Sequence, residues 1–255
     1  EFIVGIGGSA TNDAGAGLAQ ALGVRLLNAS GKEIDFGGFN LKHLDSIDMS
    51  RIDPRVKESI FKVACDVDNP MCGPEGASTV YGPQKGASKE MITVLDNALQ
   101  HFSHVVNRDM NKQIKHMPGA GAAGGLGGGM FAFLNASLKK GVDIVLDTVD
   151  FDQKLENADL VITGEGQIDF QTVFSKAPIG VAKASKAKNI PVVGLSGSLG
   201  TNYELVHKHG IDAVFSITNS PMTLQESSDN AYELISKASE EIMRSILLGS
   251  RISQV

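Results

Sequence analysis

Short apolar runs alternate with amphipathic stretches along the chain. Two of these runs are rich in β-branched residues and predict strands, Phe2–Ile6, which we expect to be buried, and Ile60–Cys65. A third apolar run, Val142–Leu146, also predicts a strand. A short helix is predicted over residues 14–22, where Gly23 would end it. Ser88 starts a long helix whose apolar side chains recur at steps of three and four: Met91, Val94, Leu95, Ala98, Leu99, Phe102, Val105 and Val106.

The pattern becomes regular after about Asp150, where strands and helices alternate. Strands are predicted over 159–163, 191–195 and 212–217, with helices near 178–187 and 202–209. A final helix opens with the capping box Thr223–Glu226. We expect its buried side to consist of Leu224, Ala231, Leu234, Ile235, Ala238, Ile242 and Ile246. Three successive units of this kind imply a parallel sheet covered by helices, so the fold class is α/β.

The change of rhythm predicts two α/β domains, residues 1–150 and 151–255. The net charge of −6 argues against a nucleic-acid partner, since the protein could not neutralise a row of phosphates. No apolar run approaches the ~20 residues that span a bilayer, so no membrane partner is expected. The spacing of Cys65 and Cys72 fits no common zinc or redox motif, which indicates two reduced thiols and a cytoplasmic protein.

The polar segment after the first strand combines glycines with hydroxyl groups. Gly7 and Gly8 would let a ligand approach the backbone, and Ser9 and Thr11 would donate hydrogen bonds to it. The following helix start could offer its N–H groups to an anion. The alternative is a tight turn in which Asn12 or Asp13 caps the helix; the local pattern leaves both open.

Two carboxylates, Asp66 and Asp68, follow the second predicted strand at alternate positions. Residues i and i+2 of an extended chain share a face, so the pair suits Mg²⁺ or a general base beside it. The alternative is a solvated turn before Pro70. Lys85 lies in a Gly-Pro turn and would bind phosphate as a point charge, or simply be solvated.

Glycine makes up 29 of the 255 residues, and seven of the 29 lie between Gly119 and Gly129. This segment predicts either a nest of N–H groups for an anion or close helix packing. Glu165 and Asp169 are predicted in a loop after a strand of the parallel sheet, at the edge where such sheets bind ligands. Loops over 196–200 and 218–220 would end the next two strands at the same edge. These features favour an enzyme that handles phosphoryl or carboxylate groups.

Five motifs, taken together and in this order, resemble the bacterial glycerate kinase family of the type-1 class. They are Gly5-Ile-Gly-Gly-Ser-Ala-Thr-Asn-Asp13, Ala64-Cys-Asp-Val-Asp-Asn-Pro70, Gly82-Pro-Gln-Lys-Gly-Ala87, Gly119-Ala-Gly-Ala-Ala-Gly-Gly125 and Val161-Ile-Thr-Gly-Glu-Gly-Gln-Ile-Asp169. The resemblance implies transfer of a phosphoryl group from ATP with Mg²⁺ to D-glycerate. It also implies a Rossmann-like domain, and residues 151–255 would form the C-terminal part of that domain. Residues 1–150 would form a second domain inserted into the first, with the active site in the cleft between the two domains.

The resemblance also implies roles for individual residues. Asp66 or Asp68 would bind Mg²⁺ or act as the base, and Lys85 would neutralise phosphate or the glycerate carboxylate. Substrate and phosphate would further contact Gly7, Gly8, Ser9, Thr11, Asn12, Asp13, Asn69, Gly124, Gly125, Glu165, Asp169 and Lys176. Ala14 and Ser175 stand where the family commonly has glycine.

The family has a long segment before the first motif, so we expect further residues on that side. Two other readings stay open, a binding module for an organic acid and an inactive fragment. The choice between the 2- and 3-hydroxyl of glycerate and the presence of a homo-oligomer stay open as well.

Overall fold

The computed structural model describes residues 1–174 and 176–252, so Ser175 lies outside the described residues. The chain divides into two compact units, Glu1–Ile144 and Val145–Val255. The sequence pattern changes near residue 150, a few residues beyond this division. No helix within the described residues is long and apolar enough to cross a membrane.

The first unit is built around a parallel sheet of three strands. Its elements are β1 (Phe2–Gly5), α1 (Ala16–Ala21), β2 (Arg25–Leu27), β3 (Ser46–Asp48), β4 (Phe61–Ala64), α2 (Ala77–Tyr81), α3 (Lys89–Met110), α4 (Leu126–Leu134), β5 (Ser137–Lys139) and α5 (Gly141–Thr148), which continues into the second unit. β4 lies between β1 and β5, and β2 and β3 form a separate antiparallel pair. Because all three strands of the sheet are parallel, their carboxyl ends lie at one edge.

The core of this unit lies between α3, α4 and the sheet. Its largest fully buried side chains include Leu26, Leu41, Met71, Leu99, Phe102, Ile114 and Met130. Ser88 caps α3 as predicted, by accepting a hydrogen bond from the Met91 N–H at 3.3 Å. The first two predicted apolar positions, Met91 and Val94, are exposed. The buried face of α3 therefore begins one to two turns into the helix.

The first strand forms where it is predicted, but the expectation that it is buried is wrong. Phe2 is 54% exposed and Ile3 is 51% exposed. Among the described residues β1 pairs only with β4, and the Phe2 ring stacks on Phe61 with 5.1 Å between ring centroids. β1 is therefore an edge strand with an apolar surface.

The strand predicted over Val142–Leu146 is also wrong, because these residues belong to α5. Residues Ser137–Lys139 take the sheet position beside β4 instead. A five-residue apolar run does not separate a strand from a buried helix segment by its pattern. The Asp66 carboxylate accepts a hydrogen bond from the Gly141 N–H at 2.9 Å and so supports the helix start, a contact that is remote in sequence.

The glycine-rich segment packs backbone against backbone. A Cβ atom on Gly129 would lie 1.9 Å from the carbonyl oxygen of Ala14, and one on Gly121 would lie 2.1 Å from that of Pro70. Ala14 itself adopts a left-handed conformation with φ 54°, which explains why glycine suits that position. The close packing that the sequence left open is therefore present, and it fixes the segments on either side of the sheet edge.

The second unit is a three-stranded parallel sheet with helices. Its elements are α6 (Phe151–Lys154), β6 (Val161–Ile168), α7 (Ala177–Ala187), β7 (Val192–Leu199), a 3-10 helix over Tyr203–His209, β8 (Ala213–Ser216), α8 (Leu224–Asp229) and α9 (Ala231–Ile252). The strand order is β6-β7-β8 and every pair is parallel. The predicted α/β class with a parallel sheet is thus confirmed.

Two predicted loops of this unit are wrong, because the strands run on through them. Glu165 lies within β6, where it pairs with Ser196 of β7. Gln167 pairs in the same way with Ser198. Small and polar residues are typical of loops. Two segments of such residues can nevertheless pair with each other and so lengthen the two strands that they follow.

The predicted last helix is divided into α8 and α9. The capping box at Thr223 and Glu226 is confirmed, with both reciprocal hydrogen bonds present. The prediction of one buried side holds for Leu234 and Ile242 but fails for Leu224, which is 84% exposed. Ile235 and Ile246 are also exposed. Asn230 is not helical and separates α8 from α9, so one helical period does not run through both parts.

We predict that Gly129→Ala lowers the free energy of unfolding by about 2 kcal/mol or more, because the new Cβ would clash with backbone. Gly249, in α9, has open space at its Cβ, so Gly249→Ala is expected to stabilise by up to about 1 kcal/mol through helix propensity. Urea denaturation of both variants measures the difference. Equal effects in the two variants would contradict the packing role.

Candidate active site

A cavity of about 280 Å³ lies in the first unit at the carboxyl ends of β1 and β4. The parallel register places the segment after Gly5 next to the segment after Ala64. Residues from both segments and from the turn after α2 line it, including Gly7, Gly8, Ser9, Asp66, Tyr81 and Lys85. The structure therefore brings together three sequence motifs that are far apart in the chain.

Lys85 is the cationic group of this cavity. Its Nζ donates hydrogen bonds to Ser9 Oγ at 2.8 Å and to the Thr11 carbonyl oxygen at 2.6 Å. Partial burial lowers the pKa of Lys85, and the negative charge of Asp13 opposes this shift. Both hydrogen-bond acceptors are neutral, so neither cancels the charge that the lysine can offer to an anion.

The loop between β1 and α1 is open at its first glycines. No atom lies within 4 Å of where a Cβ would stand on Gly7 or Gly8, and Gly8 has φ 68°. Thr11 accepts the hydrogen bond from Lys85 through its backbone carbonyl oxygen and not through its side-chain hydroxyl. A side chain could thus be accommodated at Gly7 in the described structure, and the glycine leaves the backbone accessible.

Asn12 and Asp13 bind other parts of the first unit. Asn12 Nδ2 donates to Ser78 Oγ at 2.9 Å, and its buried Oδ1 has no hydrogen-bond partner among the described residues. The Asp13 carboxylate accepts from the N–H groups of Gly15 and Gly17, each at 3.1 Å. It lies before the start of α1 and takes up N–H groups that an anion would need. The N-cap residue of α1 is Gly15, so neither Asn12 nor Asp13 is the N-cap that the sequence left open, although the Asp13 carboxylate satisfies N–H groups at the helix start.

The polar residues of the segment after β4 lie in different surroundings. Asp66 lines the cavity, and only one of its oxygens, Oδ1, is used by Gly141. Asp68 is exposed and lies outside the cavity lining. Asn69 accepts a hydrogen bond from the Tyr81 hydroxyl at 2.6 Å and donates one to the Glu75 carbonyl at 2.8 Å, so it joins this segment to α2.

The carboxylates of Asp66 and Asp68 are predicted from the sequence as ligands of Mg²⁺. No group of three or more His, Cys, Asp or Glu residues that could hold a metal occurs among the described residues. Mg²⁺ commonly binds through one or two carboxylates while phosphates and water complete its shell. Asp66 Oδ2 and the carboxylate of Asp68 are oxygen donors of that kind.

Gly124 and Gly125 lie behind the loop rather than in the cavity lining. A Cβ on Gly124 would be 2.0 Å from the Thr11 carbonyl oxygen, and one on Gly125 would be 2.8 Å from the Met71 sulfur. The Gly124 carbonyl accepts the Ala14 N–H at 3.0 Å. These contacts hold the carbonyl of Thr11 in place, which in turn binds Lys85. Direct binding of substrate by these glycines stays a prediction.

The second unit brings together Glu165, Asp169 and Lys176. Lys176 Nζ lies 3.9 Å from both Glu165 Oε2 and Asp169 Oδ1. The fully buried Thr172 donates a hydrogen bond to Glu165 Oε1 and accepts one from the Asp169 N–H at 3.1 Å. Lys176 also caps the start of α7. This cluster lies at the carboxyl end of β6, where Thr172 fixes both acidic residues.

Sequence reasoning missed several supporting residues. Ser78 is completely buried and holds Asn12, and Thr172 holds Glu165. The half-buried Cys65 lines the cavity, and burial raises the pKa of its thiol. Serine and threonine beside a helix or turn carry no distinctive pattern. Three of the five residues of α2 carry a hydroxyl group, so the sequence does not distinguish Ser78 from its neighbours.

Comparison with known proteins shows what this chain is similar to. A model of the glycerate kinase family matches residues 1–247. A glycerate kinase of Halalkalibacterium halodurans is 52% identical over 242 residues, which are 95% of this chain and 64% of that protein. A glycerate 2-kinase of Escherichia coli K12 is 50% identical over 250 residues, which are 98% of this chain and 66% of that protein.

A solved structure agrees with these relatives. The crystal structure described as that of a glycerate kinase 2 from Salmonella typhimurium LT2 has a TM-score of 0.81 and 46% identity. The match covers 98% of this chain and 65% of that one. The chain therefore spans slightly less than two thirds of the length of the proteins that it matches.

We predict that Thr172→Val lowers the free energy of unfolding by about 2 kcal/mol, because it removes a partner from Glu165 and from the Asp169 N–H. Thr172→Ser keeps the hydroxyl and should lose clearly less. Chemical denaturation of both variants gives the comparison. If valine were tolerated better than serine, the hydroxyl would have no part in holding the cluster.

Proposed function

The chain belongs to the glycerate kinase family, and we propose that it transfers the γ-phosphoryl group of ATP to a hydroxyl of D-glycerate. The products are a phosphoglycerate and ADP. The relative from Escherichia coli is named a glycerate 2-kinase, and we extend that assignment to this chain, with the oxygen on carbon 2 as the acceptor. Both cysteines are free thiols, which supports a cytoplasmic location for the activity.

The observation that carries the proposal is that Lys85 and Asp66 line the same cavity. Phosphoryl transfer requires positioning and stabilisation of charge more than covalent chemistry. Lys85 binds only neutral oxygens in its described hydrogen bonds and can therefore attract a phosphate or the glycerate carboxylate. Ser9 orients the ammonium group from one side.

One of the two carboxylates that follow β4 would accept the hydroxyl proton of glycerate. As the glycerate hydroxyl oxygen forms a bond to the γ-phosphorus, the bond from that phosphorus to the bridging oxygen of ADP breaks. The hydroxyl proton passes to Asp66 or Asp68. Mg²⁺ carried by ATP would neutralise phosphate charge, and the second of the two carboxylates would hold it. Glu165, Asp169 and Lys176, in the second unit, would bind substrate or phosphate.

The direct experiment is to measure ADP release by the purified chain with Mg-ATP, with and without D-glycerate. We expect release that depends on glycerate and a 2-phosphoglycerate product identified by phosphorus NMR. Glycerate binding without ADP release would favour an organic-acid binding module instead. The absence of both binding and release would contradict the proposal for this chain.

Replacing the carboxylates tests the proton acceptor. We predict that Asp66→Asn or Asp68→Asn lowers kcat by about 100-fold or more, according to which residue is the base. The asparagine at position 66 can still accept the Gly141 hydrogen bond, so folding should be retained. Glu58→Gln, an exposed change before β4, is the control and should keep parental turnover. Full activity in both asparagine variants would remove these residues from the mechanism.

Lys85 should give the activity an alkaline limit. Since burial lowers its pKa, kcat/KM should fall as pH rises through a value below that of an ordinary lysine. Lys85→Arg retains a charge that does not titrate in this range and should lose that limb of the profile. Lys85→Met should lower kcat/KM at every pH, whereas the surface variant Lys32→Met should not. An unchanged alkaline limb in Lys85→Arg would assign the limb to another group.

A further inference from the structure

A second and larger cavity, of about 490 Å³, lies wholly within the second unit. It lies against the middle of β6 and of β7, next to Ile217 just after β8, and is bounded by α8 and the first turns of α9. Its walls are mainly apolar and include Leu195, Ile217 and Ile235. The volume falls within the range of about 300–1,000 Å³ that is usual for small-molecule sites, and Ile217 marks the carboxyl end of β8, on the side of the sheet where parallel sheets bind ligands.

The floor of this cavity consists of bare strand backbone. Gly164, Gly166 and Gly197 line it. Glycine within a strand weakens the strand and commonly marks a place where a ligand or another backbone comes close. Gly164 and Gly197 are required by packing, since a Cβ would lie 2.2 Å from the Leu195 carbonyl oxygen and 2.6 Å from that of Gly166, respectively.

Gly166 differs from these two neighbours. Among the described residues, no atom other than those of its chain neighbours lies within 4 Å of where its Cβ would stand, and its φ lies outside the left-handed region. Neither packing nor backbone conformation therefore explains a glycine here. Its absent side chain leaves a flat surface open to the cavity, which is a suitable floor for a planar ring.

The charges around the cavity indicate which ligand fits. Glu165 lines it, and the carboxylate of Glu165 reaches Lys176 at 3.9 Å. A small organic acid would bring its negative charge into an apolar space beside Glu165, which is unfavourable. A purine ring is planar and uncharged, so both of its faces can be buried against the apolar walls. Its ribose can use hydroxyl groups at the rim, such as those of Ser227 and Ser228.

We propose that this cavity binds the base and ribose of the purine nucleotide that donates the phosphoryl group. This rests on the proposed kinase function, to which it adds the site of the nucleoside.

The chain contains no tryptophan, so a single introduced indole can report on the cavity. Leu224→Trp places it on the cavity wall, where Leu224 is 84% exposed. Tyr232→Trp, at a position that is 90% exposed and outside the lining, is the matched control. ADP and adenosine should change the fluorescence of the first variant in a saturable way and leave the second unchanged. D-glycerate should affect neither.

Two further variants close the cavity from opposite walls. Gly166→Val adds a strand-favouring side chain into open space, and Ser228→Phe adds a ring from α8. Each single substitution should weaken ADP binding by about tenfold or more. Equilibrium dialysis of each variant and of the parental chain measures the affinity. Gln225→Phe, on α8 but outside the lining, should bind ADP like the parent. Circular dichroism and thermal unfolding identify any variant that misfolds.

The outcomes separate this inference from the kinase proposal. If both closing variants fold and keep the parental affinity for ADP, the nucleoside site lies elsewhere, even when glycerate-dependent turnover is present. If ADP changes the fluorescence of Leu224→Trp but the parental chain shows no turnover with glycerate, the nucleotide site is supported and the kinase proposal fails. If the parental chain binds neither ADP nor adenosine, the inference is overturned.

Discussion

Direct contact between backbones, made through glycines, is the constraint on which the first unit depends. The segment around Gly124 and Gly129 approaches the segment from Thr11 to Ala14 so closely that no Cβ fits between them. That approach fixes the carbonyl of Thr11, which binds Lys85. The position of Lys85 thus depends on this contact between backbones as well as on its hydrogen bond to the Ser9 hydroxyl. Loops of irregular backbone acquire in this way the rigidity that catalytic positioning needs.

The two lysines in the candidate sites lie in opposite electrostatic surroundings. Lys85 binds a hydroxyl and a carbonyl, so its positive charge remains available to a ligand. Lys176 lies between the carboxylates of Glu165 and Asp169, which together exceed its charge. An anion would be attracted to the first environment, whereas the second favours a ligand that brings a cation with it.

The sequence predicted the fold class and most elements because apolar runs and capping residues are local signals. It also identified the three motifs that meet around Lys85, since parallel strands bring their carboxyl ends to one edge. It could not predict α5, because its start depends on Asp66, 75 positions away from Gly141. Nor could it extend β6 through Glu165, because that depends on which strand lies alongside. The role of the Thr172 hydroxyl could not be predicted for the same reason, because it depends on the hydrogen bonds to Glu165 and Asp169 and not on a sequence spacing.

The glycine packing has a consequence for hydrogen exchange. Loop amides ordinarily exchange with solvent quickly, because small local openings expose them. Here the amides of Ala14, Gly121 and Gly128 donate to backbone carbonyls within closely packed segments. Opening any of them requires separation of two backbones in contact, so their exchange should follow the unfolding of the whole first unit. The slowest amides of this unit will then include loop residues at the edge of its active cavity, beside those of its central strand.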